Sequence, residues 1–252
     1  MRSLDYDKLN IGIQDWIRNY VHSANAKGVA IGLSGGIDSS VTAALCVRAL
    51  GNDNVMGIGM PCESFPEDLD DAKLVAAQLD INFKIIDLTS VYQEFIKVSG
   101  NEIPTNQIAK ANVKPRLRMI TLYFVGQSLG GYLIAGTGNR AELAIGYFTK
   151  YGDGGVDFEP IGMLYKQEVR KLAERLNIPE KIILKPPSPG LWAGQTDEGE
   201  IGLLYDTIDE ILYRMDNGLS TEDLDNTHIE KVKQMVKNAA HKLRMPPMYI
   251  IS

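Results

Sequence analysis

The chain has 252 residues, 44% of them hydrophobic, which suffices for the core of one large α/β domain and excludes intrinsic disorder. Acidic residues outnumber basic ones by 32 to 26, and the formal charge of −6 argues against a nucleic-acid-binding surface while leaving room for a local basic pocket for small anions. Two cysteines, an opening Met1-Arg-Ser-Leu-Asp unlike a signal sequence, and no apolar run of membrane-spanning length point to a reduced, cytoplasmic setting without a membrane partner.

Leu4, Leu9, Ile13, Trp16, Ile17, Tyr20 and Val21 recur at helical spacing, so residues 4–25 are predicted as an amphipathic helix, with His22 at the surface. Val29 to Leu33 reads as a buried strand and Val41 to Leu50 as a helix stopped by Gly51. Between them lies Gly32-Leu-Ser-Gly-Gly-Ile-Asp-Ser-Ser40. Glycines there admit close backbone approach, the first amides of the helix lack internal partners, and Ser34, Ser39 and Ser40 add hydroxyl donors, so a pyrophosphate fits the turn. No lysine precedes the final serine, as a Walker A loop requires, and the glycine spacing is not the dinucleotide fingerprint. The bland alternative is a glycine turn with Asp38 as helix cap.

Val55 to Met60 is predicted as the second strand, Ser64-Phe-Pro-Glu67 as a capping box opening a helix to about Leu79, and Phe83 to Leu88 as the third strand. Val91 to Val98 reads as helix and Asn101 to Lys110 as a loop or short helix. Asn112-Val-Lys-Pro-Arg-Leu-Arg-Met119 leads into a helix ending near Leu129, with Pro115 tolerable only in its first turn, and Arg116 and Arg118 pointing in different directions. Tyr132 to Ala135 is the fourth strand. A fifth is placed either at Ile182 to Lys185 or near Val156 to Pro160. Strands alternating with helices imply right-handed crossovers, hence an α/β fold with a doubly wound, mostly parallel five-stranded sheet, helices on both faces, and ligands beyond the carboxyl ends of the strands.

Gly136-Thr-Gly-Asn-Arg-Ala-Glu142 is a second strand-to-helix turn, in which Glu142 is either the capping partner of Asn139 or a metal ligand. The glycine-rich loop Gly146 to Asp157 makes Lys150 and Asp157 candidates for function. Lys166 opens a helix to Leu176, and Pro186 to Gly190 is extended. Trp192, within Leu191 to Glu198, reads as a lid or a hydrophobic plug. Ile201 to Met215 and Thr227 to Leu243 close the chain as helices, with Asp206, Asp209 and Glu210 on a solvated face.

Ser34-Gly-Gly-Ile-Asp-Ser39 resembles the S-G-G-x-D-S signature of the ATP pyrophosphatases, whose fold is adenine nucleotide alpha-hydrolase-like. Four separated segments then resemble the ammonia-dependent NAD synthetases: that loop, Asn112 to Met119, Gly136 to Asp157, and Pro187 to Glu198. Pro115 stands where that family commonly has Ala, and Ser188 where Thr is frequent. The resemblance implies a ligase that activates the carboxylate of deamido-NAD with ATP, releases pyrophosphate, and lets ammonia displace AMP from the acyl adenylate. It implies that Gly32, Leu33, Ser34, Gly35, Gly36, Ile37, Asp38 and Ser39 hold the ATP phosphates, with Thr137, Lys166 and Ser188 as further ATP contacts. Asp38 and Glu142 would bind Mg²⁺, whereas Arg116, Lys150, Asp157, His241 and Lys242 would contact deamido-NAD. It further implies a homodimer with the dinucleotide near the subunit interface. Residues 1–252 are expected to form a single synthetase domain without a glutaminase domain. Another ATP pyrophosphatase, GMP synthetase-like or tRNA-modifying, and a non-catalytic adenine-nucleotide sensor are the rival readings.

Overall fold

The computed structural model describes residues 2–188 and 196–250; Trp192, read as lid or plug, lies outside them. Helix α1 (Tyr6–Ser23) starts where the Asp5 carboxylate accepts from the Asp7 and Lys8 amides. Then follow β1 (Gly28–Gly32), α2 (Ile37–Leu50), β2 (Val55–Gly59), α3 (Pro66–Gln78) and β3 (Asn82–Ile85). Next come α4 (Thr89–Glu102), α5 (Gln107–Ala111), α6 (Val113–Ser128), β4 (Tyr132–Ala135) and α7 (Arg140–Ile145). The remainder is helical, as α8 (Lys166–Arg175), α9 (Glu180–Ile183), α10 (Asp197–Ile201), α11 (Tyr205–Asn217) and α12 (Asn226–Ala239).

The strands pair in parallel in the order β3-β2-β1-β4. Alternation sends Val29 and Ile31 of β1 to one face and Ala30 to the other, and each face has its own core. Helices α1, α2, α3 and α8 pack with the first set, while α4 and α6 contribute Tyr92 and Leu122 to the second. A third cluster, centred on Tyr205, Ile208, Ile211 and Leu212, joins α7, α11 and α12 beyond the sheet.

The doubly wound parallel fold is therefore as predicted, but the sheet has four strands among the described residues rather than five. Ile182, one of the two places considered for the fifth, belongs to α9. The other place forms only a single bridge, Phe158 to Ala135, with Gly136 N–H donating to Phe158 O at 2.8 Å and Asp157 N–H to Ile134 O at 3.0 Å. The strand fails to lengthen because Pro160 follows and has no N–H to continue the ladder.

Other expectations shift for local reasons. Helix α3 is capped by Phe65 without a side-chain bond, because Ser64 Oγ instead accepts from the Cys62 amide at 3.2 Å and from Arg118 Nη2 at 3.2 Å. The helix expected over 201–215 is broken at Gly202, whose φ of +68° is left-handed and reverses the chain before α11. Helix α12 ends at Ala239, so His241 and Lys242 lie past it. Asp209 is buried rather than solvated, for a reason given below.

Candidate active site

The turn after β1 is built by its own side chains. Ser34 Oγ lies 3.0 Å from Ser39 Oγ and accepts from the Gly36 amide at 3.2 Å, while Ser39 and Ser40 hydroxyls donate to Gly36 O at 3.1 and 2.7 Å. Gly35 sits at φ +79°, and a Cβ there would come within 2.3 Å of Asp68 O, so residue type and conformation are both dictated. Leu33 N–H donates to Ile58 O at 2.9 Å, which anchors the turn to the carboxyl edge of the sheet. Gly36, not Asp38, occupies the cap position of α2. Asp38 is free to point away from its helix.

It points to Lys166. Asp38 Oδ2 is 2.5 Å from Lys166 Nζ, and Asp38 Oδ1 accepts from Asn139 Nδ2 at 3.1 Å. Glu142 approaches the same ammonium, with Oε1 3.3 Å from Nζ. Its capping role is present: Asn139 Oδ1 accepts from Glu142 N–H at 3.1 Å and Glu142 Oε2 accepts from Asn139 N–H at 3.3 Å, a capping box that leaves Oε1 directed at the ammonium.

These charges are held nearly out of water: side-chain exposure is 3% for Lys166 and 17% for Asp38 and Glu142. Burial alone would lower the Lys166 pKa, but Asp38 and then Glu142 outweigh it and raise it above the usual lysine value. Burial pushes Glu142 up to about 7, against the opposing pull of Lys166 and with help from Asp38. Asp209 fixes the backbone that carries the ammonium, accepting from the Lys166 and Gln167 amides at 3.2 and 2.9 Å, and burial pushes its carboxyl up to about 6. The Tyr205 ring lies under Lys166 Nζ at 4.9 Å, and its hydroxyl donates to Asp197 Oδ2 at 2.8 Å.

Thr137 and Glu142 line a cavity of about 40 Å³ shared with Phe148 and Glu159. Glu159 accepts from the Gly138 amide at 3.0 Å, and burial pushes it up to about 8 despite that bond.

A second group of the expected residues gathers around the loop after α7. Arg116 Nη2 donates to Lys150 O at 3.3 Å, Lys150 Nζ to His241 O at 2.7 Å, and Lys242 Nζ to Gly146 O and Phe148 O, both at 2.7 Å. Arg118 instead turns inward to Met60 O at 3.1 Å. Asp157 is set apart from these cations, its Oδ1 accepting from Tyr123 OH at 3.0 Å and its Oδ2 from Ile134 N–H at 2.7 Å. Ser188 is exposed at the edge of the described chain. Asn139, read only as a capping partner, and Asp197, Tyr205 and Asp209, given no role at the site, are the participants that motif reading missed; Asn139 lay inside the second turn and Asp197 inside the Pro187 to Glu198 segment.

In doubly wound proteins nucleotides bind where loops leave the carboxyl ends of parallel strands, and here the facing turn adds a carboxylate and α8 adds a lysine beside a phosphate loop that has no lysine of its own. That combination places the chain in the adenine nucleotide alpha-hydrolase fold, which its NAD synthetase structural neighbours share. The family model for NAD synthase matches residues 10–246, and the chain belongs to that family. It is 46% identical over 247 residues to the NH(3)-dependent NAD(+) synthetase of Archaeoglobus fulgidus, covering 97% of both chains. Its structure resembles an NMN synthetase from Francisella tularensis, with a TM-score of 0.91, 31% identity, and coverage of 99% of this chain and 100% of that one. It also resembles an NH3-dependent NAD synthetase from Campylobacter jejuni in complex with the nitrate ion, with a TM-score of 0.85, 34% identity, and coverage of 98% and 100%.

Proposed function

We infer that the chain is an ammonia-dependent NAD synthetase, converting deamido-NAD, ATP and ammonia into NAD, AMP and pyrophosphate. The observation that carries this reading is the convergence of Asp38 and Glu142, from two different strand-to-helix turns, on one buried ammonium. A carboxylate is a poor acyl donor, so its oxygen first attacks the α-phosphate of ATP, and pyrophosphate leaves. Ammonia then attacks the acyl carbon and expels AMP.

The serine hydroxyls and amides of residues 34–39 hold the phosphates, and Lys166 balances charge as pyrophosphate departs. The donor set fits Mg²⁺: two hard carboxylates already converge on a cation, and Asp197 Oδ1 is a buried oxygen without a hydrogen-bond partner among the described residues. Asp38 and Glu142 would hold the ion, which supplies charge neutralisation at the phosphates when bound. Thr137 and Ser188 are assigned to ATP, and Arg116, Lys150, Asp157, His241 and Lys242 to deamido-NAD. Two phosphate-rich substrates call for cations in an acidic chain, which is what the Arg116–Lys150–Lys242 edge supplies. The chain works as one synthetase domain on free ammonia, in the cytoplasm, as a homodimer with the dinucleotide near the subunit interface. Among the described residues no helix is long and apolar enough to cross a membrane.

The test is NAD formation from deamido-NAD, ATP and Mg²⁺, with ammonium or with glutamine freed of ammonia. Ammonium should support turnover and glutamine little; equal rates would overturn the assignment of nitrogen source. Without ammonia, labelled pyrophosphate should exchange into ATP only when deamido-NAD is present, whereas a nucleotide sensor would show none. The Francisella likeness favours a second reading in which a nicotinate mononucleotide is amidated. Competing the mononucleotide against deamido-NAD in one assay decides between them, and the 46% identity to a synthetase named for NAD favours the dinucleotide.

A further inference from the structure

The two oxygens of Glu142 differ in their surroundings. Oε2 accepts from the Asn139 amide in the capping box, whereas Oε1 faces Lys166 and is the oxygen that best meets a cation in the site. A second group also reaches that oxygen: Tyr205 OH lies 3.4 Å from Glu142 Oε1 and 2.8 Å from Asp197 Oδ2. A phenol has a single proton, which can serve one carboxylate at a time. Distance assigns it to Asp197. Tyr205 is fully buried, and the other Asp197 oxygen, Oδ1, has no hydrogen-bond partner among the described residues. The Asp197 carboxylate thus keeps its bond to this hydroxyl in a buried place although its second oxygen gains no bond from the described residues.

We propose that Asp197 is a positioning residue of the cation centre, which keeps the Tyr205 proton away from Glu142 so that Glu142 Oε1 stays free for a divalent cation. Without Asp197, the hydroxyl rotates to the other acceptor within reach and donates to Glu142 Oε1, where it competes with the ion. Partners one step removed from a metal commonly set its affinity in this way by about 10- to 100-fold. The inference rests on the reading of Asp38 and Glu142 as the cation ligands.

Mn²⁺ serves as the probe, titrated into the full-length protein without ATP, with the free ion measured by electron paramagnetic resonance and folding checked by thermal denaturation. Asp197→Ala should raise the Mn²⁺ Kd about tenfold. Adding Tyr205→Phe to that variant removes the competing proton while keeping the buried ring, and should restore the Kd to within about threefold of the wild type. Asp197→Asn, a neutral acceptor of the same shape, should fall between. A double variant as weak as Asp197→Ala, or weaker, would show that Asp197 acts only through structure and would overturn the proposal. If the Ala variant does not fold, Tyr205→Phe alone decides: with no proton to hold back it should bind Mn²⁺ within about threefold of the wild type, and clearly weaker binding would overturn the proposal. Glu142→Gln separates the two levels of inference. If it leaves Mn²⁺ binding intact, the cation assignment itself is wrong; if it weakens binding but the double variant is not restored, only the role of Asp197 fails.

Discussion

Two groups of charged side chains are held in this protein by opposite means. Asp38, Glu142 and Lys166 meet inside, charge against charge, with Asn139, the cap of the helix that carries Glu142, and Asp209 of α11 fixing them. Arg116, Lys150 and Lys242 lie at the rim and spend their donors on backbone carbonyls of the loop after α7 and the chain after α12. In the first group Asp38, Glu142 and Lys166 are ions partnered by ions, so removing one strands another in a poorly solvated place. In the second the partners are neutral carbonyls that water can serve instead. The interior group is therefore organised before substrate arrives, whereas the rim can yield its cations to an anionic ligand at small cost.

The sharpest way to break this contrast is at the interior carboxylates. Asp38→Asn and Glu142→Gln should each lower kcat by more than about 100-fold, beyond what outlying partners of a metal commonly cost. Gln can still close the capping box, so thermal denaturation should show the Glu142→Gln fold intact; an active Gln variant would reduce Glu142 to a capping residue. Next in size, Lys166→Met leaves two buried carboxylates facing each other and should cost about 3–5 kcal/mol in chemical denaturation. A loss below about 1 kcal/mol would place the centre in the same class as the rim.

A third test uses pH. Glu159 titrates near 8 in the fold because of burial, above its value in an unfolded chain, so between those values the folded state binds the extra proton. The stability it contributes is fully present at low pH and is lost as pH rises toward 8, with a slope of up to about 1.4 kcal/mol per pH unit. Glu159→Gln should flatten that part of the stability profile of the ligand-free protein, and an unchanged profile would reject the assignment. The smallest effects belong to the rim. Arg116→Gln and Lys150→Gln should shift stability by no more than about 0.5 kcal/mol. Each should raise KM for deamido-NAD by roughly fivefold with kcat little changed, the signature of lost uniform binding. A fall in kcat alone would move them into the chemistry.

The parts legible in the sequence were those written locally. The turn from Gly32 to Ser40 carries its own glycines, hydroxyls and flanking apolar runs, and its bonds close within five residues. The capping role of Glu142 was visible at a spacing of three. Its meeting with Lys166 was not legible, since that contact spans 24 residues and the one from Lys166 to Asp38 spans 128, and the family resemblance only assigned the residues separate roles on Mg²⁺ and ATP. Tyr205 and Asp209 were hidden for the same reason. Periodicity shows which face of α11 is apolar, not that Asp209 will be drawn inward by the orphan amides of another helix. The break at Gly202, which places Tyr205 at the head of its own helix, looked like a tolerated glycine within one longer helix.

Asp157 also governs how the sheet ends. A parallel sheet stopping at β4 would present unpaired backbone groups along a strand made of Tyr132, Leu133, Ile134 and Ala135, a template for another chain to add itself. Here Ile134 N–H is already taken by the Asp157 carboxylate and Ile134 O by the Asp157 amide, while Gly136 N–H goes to Phe158 O. One aspartate thus occupies both outward backbone groups of Ile134, at the middle of the apolar border. The opposite border, β3, is four residues long, largely exposed, and carries Lys84, features that discourage pairing without any cover. Solubility at high concentration is therefore guarded unequally at the two borders, by a plugged edge on one side and a short charged one on the other.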